Sequence, residues 1–173
     1  MQHMRARYLL LACVIGLISI GDGSSASAQD ATTAVYNDWT LRCANTKPPS
    51  PQKTCEMEQS AQAEGKMISR VSIELPAKGQ AVKLVVQVPV NVSIADGVKI
   101  KIDEKDSGLA GPFTRCGPRG CFATVALNDE AIRRFRSAVA PGRIVFLNAG
   151  GQETAIPMSF KGFGPAFDIL RKD

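Results

Sequence analysis

The chain has 173 residues, 21 basic against 16 acidic side chains (net charge +5), five cysteines and one histidine. That length suits one domain with its own hydrophobic core, and 45% hydrophobic with 21% charged residues is a globular balance, not a disordered one. The single histidine is His3, so loss of the first residues excludes Ser-His-Asp and Cys-His nucleophilic sites and every histidine-ligated metal.

Residues 1–28 read as a secretory signal peptide. Arg5 and Arg7 form a basic start, Tyr8 to Ile20 a short apolar run, and Ala26-Ser27-Ala28 a small-residue cleavage site. The apolar run is shorter than the ~20 residues that span a bilayer. Cys13 lies early in it, where a lipoprotein box would close it. Cleavage after Ala28 removes Arg5, Arg7 and Asp22, leaving 19 basic and 15 acidic side chains, a charge of +4. This excess is spread along the chain and is no nucleic-acid footprint. Residues 29–37 are expected to be a flexible leader, and 38–173 a single domain with no transmembrane span.

Asp38 to Cys43 alternates, with Trp39 and Leu41 on one side, and Cys55 to Gln59 alternates likewise. Between them Ala44 to Thr54 is rich in Pro, Lys and Ser and reads as a loop. Met67 to Leu75 sets Met67, Val71, Ile73 and Leu75 against Arg70, Ser72 and Glu74. After the turn at residues 76–79, Ala81 to Val88 sets Val82, Leu84, Val86 and Val88 against Lys83 and Gln87. These two runs predict an antiparallel hairpin with one buried face. Pro89 makes Val90 to Ile94 an edge or crossover. Strands follow at Val98 to Ile102, Cys121 to Leu127, Arg143 to Leu147 (apolar on both faces, hence central) and Thr154 to Phe160, where Pro157 marks an edge or bulge.

One segment has clear helical character. Asn128 suits an N-cap, Asp129 and Glu130 suit the positive helix end, and Ile132, Phe135 and Val139 share a face until Pro141-Gly142. Arg133, Arg134 and Arg136 point away and form the densest basic patch, a candidate partner contact. A last short helix is expected from Pro165, with Phe163, Phe167 and Leu170 covering one end of the core. Short strands separated by frequent turns, with one or two short helices, predict an all-β sandwich.

Four cysteines remain after cleavage: Cys43, Cys55, Cys116 and Cys121. Export makes disulfides their expected state. Of three possible pairings the local ones are favoured, Cys43 with Cys55 and Cys116 with Cys121. Neither spacing is a C-x2-C zinc knuckle, and C-x4-C is not the redox C-x-x-C. Trp39 is expected in the core beside the first pair.

The motifs D-W-x-L-x-C at 38–43, V-P-V-N-V-S-I-A-D-G-V at 88–98, R-C-G-P-R-G-C at 115–121 and S-F-K-G-F-G-P-A-F at 159–167 occur in that order. Together they make the chain, from Asp38 to Leu170, resemble the invasion-associated locus B family of exported alphaproteobacterial proteins. The resemblance implies an immunoglobulin-like β-sandwich in the periplasm or envelope. It also implies structural bonds at the four cysteines and, in some pathogenic members, an association with host-cell entry. It brings no catalytic residue that maps onto this chain, and no metal or cofactor is expected.

The functional expectation is a non-enzymatic binding or adhesion module in the periplasm, with outer-membrane association or secretion as alternatives. Its partner is an unidentified protein or an envelope or host-surface component. A hydrolase would need a carboxylate pair, such as Glu56 and Glu58 on one strand face, or a Ser/Lys pair; a thiol oxidoreductase would use Cys116 and Cys121.

Overall fold

A computed structural model describes residues 31–45, 52–76 and 80–172. The expected signal peptide, with His3 and Cys13, and residues 46–51 of the Pro-Lys loop lie outside the described residues. Among the described residues eleven strands and two helices follow one another: β1 (Ala31–Tyr36), β2 (Trp39–Asn45), β3 (Lys53–Ala63), β4 (Lys66–Glu74), β5 (Val82–Val88), β6 (Val98–Lys101), β7 (Leu109–Gly111), β8 (Phe113–Gly117), β9 (Gly120–Leu127), α1 (Asp129–Ser137), β10 (Gly142–Leu147), β11 (Glu153–Met158) and α2 (Phe163–Leu170). Two antiparallel sheets form, a long one in the order β1-β2-β3-β4-β5-β9-β8 and a short one in the order β11-β10-β6-β7. The chain is thus an all-β sandwich with two short helices.

Alternation decides which side chains meet between the sheets. Leu41, Met57, Val71, Ile73, Leu84, Val86, Val125 and Ala123 line the inner face of the long sheet, and Val98, Ile100, Ile144, Phe146, Ile156 and Met158 that of the short one. The predicted hairpin is β4–β5, with Ile73 opposite Leu84. β10 is central in the short sheet, between β11 and β6, and even its outward Val145 is buried.

Several elements differ from the sequence expectation. The segment expected as a flexible leader is β1 from Ala31 onward. It pairs with β2 through a two-residue turn at Asn37-Asp38, because Asn37 accepts a positive φ of 51°. β3 runs to Ala63, past Gln59, bending at an irregularity between Ala61 and Gln62. Met67 and Leu75, at the ends of the β4 run, are exposed, while Ser69 takes an inward position. Val90 to Ile94, by contrast, is the crossover that Pro89 predicts, passing between the sheets with only the Val92–Asn148 bridge.

α1 begins as predicted. The Asn128 side chain accepts a hydrogen bond from the Ala131 N–H at 2.8 Å. It stops at Ser137, because Ala138 is extended, so Val139 lies beyond the helix and is 89% exposed; Ala131, Ile132 and Phe135 carry the buried stripe. α2 starts two residues before Pro165, which its first turn tolerates since a first-turn N–H has no helical partner. Phe163, Phe167 and Leu170 close the core as predicted. Trp39 meets Phe163 edge-on at 5.5 Å, Phe163 stacks on Phe167 at 5.4 Å, and Phe135 meets Phe160 at 4.8 Å and Phe163 at 5.3 Å. This aromatic cluster joins α1 and α2 to β2.

Candidate functional site

The D-W and S-F-K-G-F-G motifs, 120 residues apart, meet in the fold. Trp39 is fully buried as expected, and its ring partner is Phe163; its Nε1–H donates to the Ser159 carbonyl at 3.1 Å. Gln59 donates to the same carbonyl at 2.7 Å and accepts the Ser159 N–H at 2.9 Å. The Ser159 hydroxyl donates to Asp38, and the Asp38 N–H donates to the Lys161 carbonyl. The polar groups named here answer one another within the chain. It is therefore a structural clasp between β2, β3 and the segment that leads into α2.

The outer face of the long sheet is built differently. Arg42 on β2, Glu56 and Glu58 on β3, and Arg70 on β4 alternate away from the core. Glu58 pairs with Arg42 at 3.6 Å and more closely with Arg70, which also reaches Glu56 at 3.5 Å. The Glu58 side chain is only 14% exposed, so the network is held in place and is not a loose surface fringe. Burial pushes the Glu56 carboxyl above its usual range; Arg70 opposes this, Glu58 and Glu74 reinforce it, and Arg42 lowers it.

Next to these charges, Arg115 on β8 lies over the Phe122 ring of β9 at 4.4 Å from its centroid. Gln87 on β5 donates to the Arg119 carbonyl. A depression of about 330 Å³ joins Glu56, Arg70, Ser72, Gln87, Arg115 and Phe122 into one surface. Glu56 and Glu58 thus share a strand face as the sequence predicts, but cross-strand arginines engage both. The sequence marks none of Arg115, Phe122, Gln87 and Arg70 as a site residue, although it places Arg70 and Gln87 on outward strand faces. Their signal was present only as outward positions on strands whose pairing was unknown.

The cysteines bond locally, Cys43 to Cys55 across β2–β3 and Cys116 to Cys121 across β8–β9, each pair with Cα atoms 4.0 Å apart. The arginine patch is divided. Arg134 turns to Asp106 at 3.1 Å and Asp103 at 3.9 Å. Arg136 forks onto Asp168 of α2 and lies 5.6 Å from the Phe167 centroid. All three lie on the outward side of α1, with Arg133 and Arg136 exposed, but distant segments bring acidic partners to Arg134 and Arg136. Burial raises the Asp106 carboxyl, but the N–H groups of Ile102 and Gly108 and the Arg134 guanidinium outweigh it and hold it below its usual range. The Arg136 hydrogen bonds likewise lower Asp168, and Asp168 raises Arg136.

Among the described residues no three His, Cys, Asp or Glu side chains converge as a metal site. No described helix is long and apolar enough to cross a membrane.

The family model of the invasion associated locus B (IalB) protein matches residues 39–171. The chain belongs to the invasion-associated locus B family. An invasion protein B homolog of Brucella abortus (strain 2308) is 30% identical over 141 residues, 79% of this chain and 77% of that protein. The invasion protein B homolog of Brucella abortus biovar 1 (strain 9-941) matches to the same extent. The crystal structure of invasion associated protein B from Bartonella henselae superposes with a TM-score of 0.71 at 19% identity, covering 82% of this chain and 95% of that one. That likeness establishes the fold. Family membership makes this an invasion-associated protein by kinship, and the family match opens at Trp39, the first residue of β2. The two disulfides and the lack of a membrane-crossing helix among the described residues are consistent with an exported protein.

Proposed function

We propose that the protein is a non-enzymatic binding module of the bacterial envelope, carried to the periplasm by residues 1–28, and that the outer face of the long sheet meets its partner. The observation that carries this reading is the held network of Arg42, Glu58, Arg70 and Glu56 beside Arg115 and Phe122. Charged groups already fixed by one another lose little freedom on binding, and arginine and aromatic side chains dominate protein interfaces. The α1 patch is a weaker candidate, since Arg134 and Arg136 spend their charge inside the chain.

The test is cross-linked capture from the protein's own envelope fraction, using the native sequence, Arg115→Glu with Phe122→Ala, and Arg133→Glu. We expect the sheet-face variant to lose the partner that the native protein and Arg133→Glu retain. Retention by the sheet-face variant together with loss by Arg133→Glu moves the site to α1. Multiple turnover of a thiol or glycoside substrate by the purified protein overturns the non-enzymatic reading.

A further inference from the structure

Each sheet has two edges, and three of the four carry a device that discourages further pairing. β7 is three residues long. β11 contains Pro157. β8 follows Pro112, shifts register between Phe113 and Arg115, and is stapled by the Cys116–Cys121 bond. β1, the remaining edge, has none of these. Its six residues, Ala-Thr-Thr-Ala-Val-Tyr, include no charge and no proline; Ala31 to Val35 are exposed, Val35 at 69%.

Two independent observations fix which backbone groups of β1 face outward. The two-residue turn makes Tyr36–Trp39 a hydrogen-bonded pair. The 4.0 Å Cα separation of Cys43 and Cys55 marks a non-hydrogen-bonded pair between β2 and β3, so the Cys43 N–H turns toward β1. Both require Thr32, Ala34 and Tyr36 to bond β2, leaving Ala31, Thr33 and Val35 with N–H and C=O aimed away from the sheet. Among the described residues, no other backbone group bonds Thr33 or Val35 on that side.

We infer that this edge is a self-association surface, on which β1 of a second copy adds antiparallel and joins the two long sheets. The strand is its own complement. Centred on Thr33, a two-fold axis pairs Thr33 with Thr33 of the second copy and Ala31 with Val35 of the second copy. Those are the residues whose hydrogen-bonding groups face outward. The processed chain's net charge of +4 sets copies against one another. Here no charged side chain stands on the strand, and Arg42, the nearest cation on β2, is paired with Glu58. Six residues per copy fall short of the ~1,200–2,000 Å² of a stable interface, so the association is weak and concentration-dependent.

The experiment is sedimentation equilibrium of the native, processed protein from micromolar to millimolar concentration, with hydrogen exchange at both ends. We expect a monomer–dimer equilibrium in which the Thr33 and Val35 amides gain protection. Thr33→Pro removes an outward N–H without touching the β1–β2 bonds, and Val35→Lys places a charge at the exposed edge; each should weaken the dimer tenfold or more. Far-UV circular dichroism confirms that the variants fold, and Val35→Lys carries the test if Thr33→Pro does not. A protein monomeric throughout, or a dimer indifferent to the folded variants, overturns the inference. So does protection of these amides only when another envelope protein is added.

Discussion

Tyr36 and Gly162 meet backbone to backbone: the Tyr36 carbonyl oxygen occupies the space where a side chain at position 162 would begin. Gly162 also has φ +86°, and it caps α2 at the point where the chain turns from Lys161 into Phe163. The contact holds the β1–β2 turn against the root of α2, beside the hydrogen bonds of Trp39 and Gln59 to Ser159.

Gly162→Ala is therefore expected to cost about 3 kcal/mol, combining left-handed strain with a clash against backbone that has little room to move. Gly151→Ala supplies the comparison. Gly151 has φ +78° but open space around its α-carbon, so only the strain of about 1 kcal/mol applies. Urea unfolding of both variants separates the two effects, and equal losses would remove the steric account.

Gln59 satisfies both the N–H and the C=O of Ser159. Gln59→Ala strands a part-buried N–H and leaves the carbonyl to Trp39 alone, at a cost of about 1–3 kcal/mol. The same substitution at Gln62, exposed on the same strand, should stay within about 0.5 kcal/mol. Paired denaturation curves check this.

Glu56 has a folded-state pKa above its ordinary 4.5. The folded state thus favours the protonated form: its stabilising effect is complete below pH 4.5 and is lost as pH rises through the folded value. Glu56→Gln should match or exceed the native protein at pH 7, by up to about 0.5 kcal/mol, since Arg70 keeps Glu58 as a partner. The gap should close as pH falls below 4.5. A substantial loss of stability at pH 7 would show that the carboxylate's ion pairing outweighs its burial.

Asp106 has the opposite sign. Its folded pKa lies below the ordinary 3.8, so its contribution is complete above that value and is lost as pH falls through the lower folded value. Asp106→Asn should lower stability at pH 7 by about 1–2 kcal/mol, because charged hydrogen bonds to Ile102, Gly108 and Arg134 weaken. The difference from the native protein should shrink below pH 3.8. Thermal unfolding across pH 2–7 reads this directly.

The disulfides close loops of different length, with sequence separations of 12 and 5. In the chain-entropy account they contribute about 3 and about 2 kcal/mol. Replacing both cysteines of either pair by Ala should lower the unfolding midpoint, more for Cys43–Cys55. Cys116 is exposed while Cys43 is buried. Mild reduction of the native protein, followed by alkylation and mass analysis, should therefore label Cys116 before Cys43.

The fold class, the family and the local bonding of Cys43 with Cys55 and of Cys116 with Cys121 were legible in the chain itself. They rest on local signals: period-two alternation, turn residues, an Asn128 cap and ordered motifs. β1 was not legible, because a strand with both faces open carries no alternation and depends on the tight turn that hands it to β2. The arginines of α1 show the same limit. Helical spacing places Arg134 and Arg136 on an outward side, and only the tertiary structure brings Asp106 and Asp168 to them. The outer face of the long sheet was equally hidden. Arg42, Glu58 and Arg70 are outward positions on three separate strands, and which charge faces which depends on register. Sequence alone thus determines which side of each strand is buried, since that is a property of adjacent residues. The fold decides which exposed residues become neighbours, because pairing across strands is set by long-range packing.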